Sequence, residues 1–295
     1  MKRYFSLLIV GIVSYGALYA DSYRDALKVY LSNNNSNSAQ YESTLGEAFA
    51  KAFPQETDKE KIGQIMSEYA ATQMADDMAD IFLPSFKKYV SEAELKELIE
   101  LYQNERFAAL QNKSAAIMSG LVNDEDYLQF MNSFGTALGN IVTGQPVVDL
   151  PVPANITESY VKTFNTYYED SMLDEMIGGM FESVYDMVKK GLIGQGMENV
   201  DDVIEKVKKY TATNMRTVLL VTFHKAYSED DIKYMSLATA SDAYRHSMQA
   251  TMDVVSNPLA LSLNLFEKMS AWLKANYPQY GAAFDELIST MKTMM

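Results

Sequence analysis

The sequence contains one segment twice: Phe86-Lys-Lys-Tyr-Val-Ser-Glu-Ala-Glu-Leu-Lys-Glu-Leu98 is matched 137 positions later by Phe223-His-Lys-Ala-Tyr-Ser-Glu-Asp-Asp-Ile-Lys-Tyr-Met235. The same offset places other residues over residues of the same kind: Ser22-Tyr23 over Ser159-Tyr160, Leu27 over Phe164, Tyr30 over Tyr167, Met78 over Met215 and Phe107 over Tyr244. The helical period alone can align apolar faces by chance. A constant offset with an identical Ser-Glu pair favours an internal duplication.

Each copy carries the signals that begin a helix. In the first copy, Ser91 can cap a helix N-terminus and Glu94, three residues later, completes a capping box. Val90 and Leu95 flank the cap as a hydrophobic staple. The second copy offers the same four positions: Ser228, Asp231, Tyr227 and Ile232. We therefore predict that a helix begins after each serine and that the chain enters both helices in the same way.

The helical period dominates the rest of the chain and predicts an all-α fold. Near the N-terminus, apolar residues recur on one helical face at Tyr23, Ala26, Leu27, Tyr30 and Leu31. We expect a multi-helix array of ten to twelve helices, because the mean helix has about 11–12 residues. Two similar duplicated halves should be followed by a pair of C-terminal helices, beginning near Pro258 and after Pro278.

The predicted organisation has five parts. Residues 1–20 form a signal peptide, 21–142 the first helical repeat, 143–157 a proline-rich linker, 158–256 the second repeat and 257–295 the C-terminal helices. Pro146–Pro153 marks the linker because it holds three of the seven prolines, and proline has no amide hydrogen for a helix.

The first twenty residues have the layout of an export signal. Lys2 and Arg3 precede an uncharged stretch, Tyr4–Ala20, and Asp21 restores polarity. An uncleaved membrane anchor is the alternative, although the stretch is short for a span of about 20 apolar residues. No later stretch has that length, so we expect a periplasmic or secreted protein with no membrane span after signal removal.

Composition excludes several classes of function. The chain has no Cys, which rules out disulfides and thiolate chemistry. Its formal net charge of −14 opposes binding to nucleic acid, which needs Lys and Arg to neutralise phosphates. Without Lys2 and Arg3, 23 basic residues face 39 acidic ones, and the charge becomes −16. Docking on anionic lipid is disfavoured for the same reason.

One longer stretch resembles the core of the bacterial family called domain of unknown function 2059: Leu83-Pro-Ser-Phe-Lys-Lys-Tyr-Val-Ser-Glu-Ala-Glu-Leu-Lys-Glu-Leu-Ile-Glu-Leu-Tyr102. The shared pattern is an aromatic residue, Ser or Thr with acidic residues, Leu, and a second aromatic residue before a helix break. The resemblance covers residues 25–120 well and 159–256 weakly, where Thr239 stands at the position of Tyr102. It implies a helical, exported protein and supplies no catalytic residue.

Two groups of polar residues are candidates for chemistry. His224 and His246 could approach each other near Asp242, but a zinc site needs three or four ligands and no His-Glu-x-x-His motif is present. Asp76, Asp77 and Asp80 lie on one predicted helix, where carboxylates could do acid–base work or hold a cation. In so acidic a chain we favour ordinary histidines and a solvated helix face.

Methionine offers a different kind of site. Met172, Met176, Met180 and Met187 lie along one predicted helix, with Tyr167, Tyr168 and Tyr185 near them. Methionine is flexible and polarizable, and it is common on surfaces that fit varied partners. Helical spacing is also what a core stripe gives, and we favour the core over a binding groove.

The sequence therefore predicts an exported, non-catalytic binding or protein-interaction module of unknown ligand. We predict no catalytic residue, no metal and no cofactor. The partner would be an unknown protein or an apolar ligand, and the oligomeric state is left open. The alternatives are a carrier of a lipid or other apolar ligand, and an enzyme with an unrecognised site around His224 and His246.

Overall fold

A computed structural model describes residues 23–33 and 59–293 of the chain. These residues form thirteen α-helices and no strand, which confirms the all-α prediction. The helices are α1 Tyr23–Asn33, α2 Lys59–Thr72, α3 Met74–Tyr89, α4 Glu92–Gln103, α5 Glu105–Gly120, α6 Glu125–Thr143, α7 Glu158–Asp170, α8 Leu173–Gly194, α9 Val200–Ala226, α10 Glu229–Thr239, α11 Asp242–Val255, α12 Pro258–Asn276 and α13 Pro278–Lys292. The predicted signal peptide lies outside the described residues.

The predicted count of ten to twelve helices was too low. Two breaks consist of one residue and have no proline or glycine at or beside them: Gln73 between α2 and α3, and Asn104 between α4 and α5. The C-terminal pair was predicted correctly, since α12 begins at Pro258 and α13 at Pro278. Proline is well tolerated there because the first helical position needs no amide hydrogen.

The chain forms two compact units that do not follow the predicted sequence halves. Unit 1 contains the described residues up to Asn112 and those from Asp242 onward, whereas unit 2 contains Lys113–Ser241. In unit 1, α1, α2, α11 and α12 pack on α3, and α12 packs on α13. The core of this unit is built around Leu27, Phe82 and Phe86, each 0% exposed.

Unit 2 is arranged around α9, the longest of the described helices at 27 residues. Helices α6, α7 and α8 pack on α9, and α7 also packs on α10. Phe130 of α6 lies at the centre of an aromatic cluster, 6.1 Å from Phe181 and 6.3 Å from Tyr210 between ring centroids. Aromatic pairs at such distances stabilise a core beyond the area that they bury.

Both capping boxes form as predicted. The Ser91 hydroxyl accepts a hydrogen bond from the amide of Glu94, and the Glu94 carboxylate accepts one from the amide of Ser91. Ser228 and Asp231 make the same reciprocal bonds at the start of α10. The four staple residues are buried as expected: Val90, Leu95, Tyr227 and Ile232.

In each unit, a tyrosine hydroxyl donates a hydrogen bond to the carbonyl of the residue just before the capping serine. The Tyr23 hydroxyl donates to the carbonyl of Val90 at 2.8 Å, and the Tyr160 hydroxyl donates to the carbonyl of Tyr227 at 3.3 Å. Both pairs are related by the offset of 137. Burial raises the pKa of Tyr23 to about 12 and also raises that of Tyr160, so both phenols stay protonated donors.

A ring contact is repeated in the same way. The centroids of Tyr30 and Phe86 are 5.5 Å apart, and those of Tyr167 and Phe223 are 5.8 Å apart. Helix α1 packs on α3 and α4, just as α7 packs on α9 and α10. These local geometries agree with the predicted repeat, while an origin by duplication stays a prediction.

The proline-rich segment is tied to one unit. No helix forms between Thr143 and Glu158. The buried side chain of Asn214 on α9 accepts a hydrogen bond from the amide of Leu150 at 2.6 Å and donates one to Asp149 at 2.9 Å. The segment therefore joins α6 to α7 and is held against α9 of unit 2 by hydrogen bonds.

Candidate functional site

His246 lies on α11 in unit 1 and braces a helix start. Its Nδ1 is 2.7 Å from Oε1 of Glu94, whose other oxygen accepts a hydrogen bond from the Ser91 amide, also at 2.7 Å. Hydrogen bonds from Ser91, with a smaller contribution from His246, hold the pKa of Glu94 below its usual value. Glu94 and His246 are 152 positions apart, so sequence reasoning missed the pair.

His224 lies on α9 in unit 2 and packs against an aromatic ring. It meets Tyr160 edge to face with 4.8 Å between centroids. Asp242 is 80% exposed, and its carboxylate lies 3.7 Å from the guanidinium of Arg245. The structure thus places His224 in one unit and His246 with Asp242 in the other, each with its own neighbour.

The three aspartates of α3 form ion pairs within unit 1: Asp76 with Arg24 and Lys28, Asp77 with Lys268, and Asp80 with Arg24 and Lys268. The shortest are Lys28 to Asp76 at 2.6 Å and Arg24 to Asp80 at 2.7 Å. These partners lower the pKa of Asp76, chiefly through Lys28, and that of Asp80, chiefly through Arg24. Among the residues that the structure describes, no group of three His, Asp or Glu side chains is arranged to hold a metal ion.

Asp77 does not belong to a solvated face, and that prediction was wrong for this residue. It is 4% exposed and accepts hydrogen bonds from the Tyr69 hydroxyl at 2.7 Å and from Gln73 at 2.9 Å. The offset of 137 places it over Asn214, which is 0% exposed and donates to the carbonyl of Tyr210 at 2.7 Å. Each unit thus buries one hydrogen-bonded polar residue at the same position.

The methionines of α8 are partly on the surface, which overturns the favoured core interpretation for two of them. Met180 is 50% exposed and Met187 is 72% exposed, whereas the buried face of α8 is formed by Leu173, Ile177, Phe181, Tyr185 and Leu192. At about 100° per residue, Met176, Met180 and Met187 lie within about 40° of one another. We call these three residues the methionine stripe. No charged residue of α8 falls within it.

Exposed apolar side chains are concentrated in unit 2. Within the described ranges, one large exposed hydrophobic residue, Val255, belongs to unit 1. Ten belong to unit 2: Val122, Leu128, Met131, Val147, Val148, Val152, Met180, Met187, Ile193 and Leu237. Several of them lie in a stretch with few charges, since Asp149 is the one charged residue between Asp126 and Glu158. Unit 2 is therefore the more favourable of the two units for an interaction surface.

Two pockets open at the surface of unit 2 beside the proline-rich segment. One, of about 560 Å³, lies between Val152–Ile156 and α7, along which its lining extends from Glu158 to Glu169. The other, of about 370 Å³, lies between Gly144–Asp149 and α9. Both volumes fall within the range of small-ligand sites.

No protein-family model, curated protein or solved structure matches the chain. The resemblance to domain of unknown function 2059 therefore stays a prediction. No helix in the described part of the chain combines the length and apolar character needed to cross a membrane.

Proposed function

We propose that the protein is an exported, non-catalytic binding module, and that unit 2 docks an amphipathic helix of a partner protein on the methionine stripe. The observation that carries this proposal is the exposure of Met180 and Met187 on an uncharged helix face of an acidic chain. An apolar stripe is the surface against which an amphipathic helix lays its own apolar face. Methionine suits such a contact because its side chain adapts to different shapes.

The charge of the chain favours a basic partner. The net charge of −14, or −16 without the first twenty residues, repels nucleic acid and anionic lipid. On one side of the stripe, α8 carries three exposed acidic residues, Glu175, Glu182 and Asp186, and one exposed lysine, Lys190. A helix with Lys or Arg beside its apolar face would be steered toward such a surface. Because rim charges act mainly on encounter, salt should slow association more than it speeds dissociation.

The geometry gives less support to the two alternatives. A carrier would enclose a whole lipid, whereas the two pockets of unit 2 are open clefts of a size for small ligands, about 560 and 370 Å³. An enzyme around the histidines would need them to converge with carboxylates, whereas His246 braces a helix cap and His224 packs on Tyr160.

A synthetic amphipathic helix of Leu and Lys tests the proposal. Its binding to the chain without residues 1–20 would be measured by fluorescence anisotropy at low and high salt. Met180→Glu with Met187→Glu should weaken binding by about tenfold or more, because burying a methionine contributes about 1.5–3 kcal/mol and each 1.4 kcal/mol is a factor of about ten.

The matched control is Val122→Glu with Leu237→Glu, which adds the same two charges at exposed apolar sites of unit 2. This control should keep most of the affinity. Equal weakening by both double variants would contradict docking on the methionine stripe. Turnover of a substrate that is abolished by changing His224 or His246 would contradict the non-catalytic assignment.

A further inference from the structure

Two lysines face a pocket on a second surface of unit 2. Lys206 and Lys209 of α9 line the 370 Å³ pocket whose opposite wall is Gly144–Asp149. They are three residues apart, and i, i+3 neighbours lie on one face of a helix. Ile141, Pro146 and Val147 provide an apolar surface beside them.

The wall opposite the lysines is held in place from both ends. Gly144 ends α6 with a left-handed backbone, φ 71°, and the next amide, that of Gln145, donates to the carbonyl of Asn140 at 2.7 Å. At the other end, Asn214 holds both Asp149 and the Leu150 amide. Because these hydrogen bonds already fix residues 144–149, binding a ligand costs little entropy for ordering this segment.

The charge of the pocket differs from that of the chain. Within residues 23–33 and 59–293, neither Lys206 nor Lys209 makes an ion pair, and both are exposed. The neighbouring stretch from Tyr127 to Val148 carries no charge. The acid that lines the pocket is Asp149, and its Oδ1 accepts a hydrogen bond from Asn214. Lys206 and Lys209 are like charges on one helix face, with Asp202 and Glu205 one turn before them, and an anion between the two ammonium groups would relieve their mutual repulsion.

We propose that this pocket binds a small amphiphile with one anionic head group and a short apolar chain. The lysine ammonium groups would hold the head group, and Ile141, Pro146 and Val147 would contact the chain. The lysine ammonium group is a compact positive charge that binds either a carboxylate or a phosphate. The shared chemistry is therefore an anionic head on an acyl or alkyl chain. This site is separate from the methionine stripe and does not rest on the function proposed above.

Calorimetric titration of the full chain with octanoate, octyl phosphate and octanol tests the proposal. We expect octanoate or octyl phosphate to bind about tenfold or more tightly than octanol, because the lysines contribute to binding of the anions alone. The tighter of the two anions identifies the head group. Lys206→Gln with Lys209→Gln should remove this preference.

The matched control is Lys87→Gln with Lys190→Gln, which removes two exposed lysines elsewhere and should leave anion binding unchanged. Equal binding of octanol and the two anions would overturn the proposal, as would unchanged anion binding in the Lys206 and Lys209 variant. The variant with Met180→Glu and Met187→Glu should bind the anions normally, which separates this site from the methionine stripe.

Discussion

The two units begin a helix in the same way but differ at their surfaces. In both, a tyrosine hydroxyl holds the carbonyl before a capping serine, and an acidic residue three positions later completes the cap. In unit 1 that acid, Glu94, also pairs with His246. The two caps thus make the same hydrogen bonds to the backbone, which indicates that their role is structural.

The surfaces show the larger difference. Unit 1 ties Asp76, Asp77 and Asp80 to three cations contributed by α1 and α12. Unit 2 instead carries ten of the eleven large exposed hydrophobic residues in the described ranges. Ion pairs join helices within a unit, whereas exposed apolar side chains gain from covering by another molecule. Unit 2 is therefore the unit whose surface is suited to binding.

Removing the repeated ring contact should have the largest effect. Phe86 and Phe223 are 0% and 1% exposed, and each contacts the equivalent tyrosine. Phe86→Ala and Phe223→Ala should each lower the free energy of unfolding by about 3–5 kcal/mol, because each deletes a buried ring. Urea unfolding followed by circular dichroism measures both, and Leu237→Ala, at an exposed site, is the control. A large cost for one phenylalanine and almost none for the other would show that the two ring contacts are not equivalent.

The two buried polar residues at equivalent positions, Asp77 and Asn214, should differ in how much their exchange destabilises the fold. Asn214→Asp places a carboxylate against the carbonyl of Tyr210 and the carboxylate of Asp149, so we expect a loss of about 3 kcal/mol. Asp77→Asn keeps an acceptor for Tyr69 and loses the charge facing Lys268, which should cost about 1–3 kcal/mol. Urea unfolding of both variants gives the two costs. A milder effect for Asn214→Asp than for Asp77→Asn would contradict the assigned hydrogen bonds.

The two caps should be of similar value. Ser91→Ala and Ser228→Ala each remove a hydroxyl that accepts an amide hydrogen bond at a helix start. Each should lower the free energy of unfolding by about 0.5–2 kcal/mol, the usual cost of a lost N-cap. Ser119→Ala, at an exposed site near the end of α5, should have little effect. A loss confined to one cap would show that the two helix starts are not equivalent.

The parts of the fold that could be predicted are those that the chain specifies locally. The caps at Ser91 and Ser228 and the starts at Pro258 and Pro278 depend on residues a few positions apart. The division into units could not be predicted, because it depends on α11 packing on α3 and α4 across more than a hundred positions. Hydrophobic periodicity gives a helix an apolar stripe without saying what covers it.

The candidate sites were harder to predict for the same reason. The spacing of Met180 and Met187 fits a core stripe and a surface stripe equally well, and the position of Phe181 and Tyr185 in the core decides between them. The pocket at Lys206 and Lys209 exists because Asn214 holds a segment more than sixty positions earlier in the chain. A useful sequence signal was present, since the stretch between Asp126 and Glu158 has one charged residue in a chain of which 22% is charged.

The smallest expected effect concerns Glu94 in the first cap and its pairing with His246. Hydrogen bonds from Ser91 and then from His246 hold the pKa of Glu94 below its usual value of 4.5. Because the pKa is lower in the folded state, the carboxylate stabilises the fold fully above about pH 4.5, and this contribution is lost as the pH falls through the lowered folded value. Glu94→Gln should therefore lower the free energy of unfolding slightly near neutral pH, and the gap to the unchanged protein should close in acid. Glu97→Gln removes the same charge from an exposed site on α4 and serves as the control. Urea unfolding of the three proteins at a series of pH values measures both gaps, and a Glu94→Gln gap that stays constant or widens in acid would show that the paired carboxylate does not stabilise the start of α4.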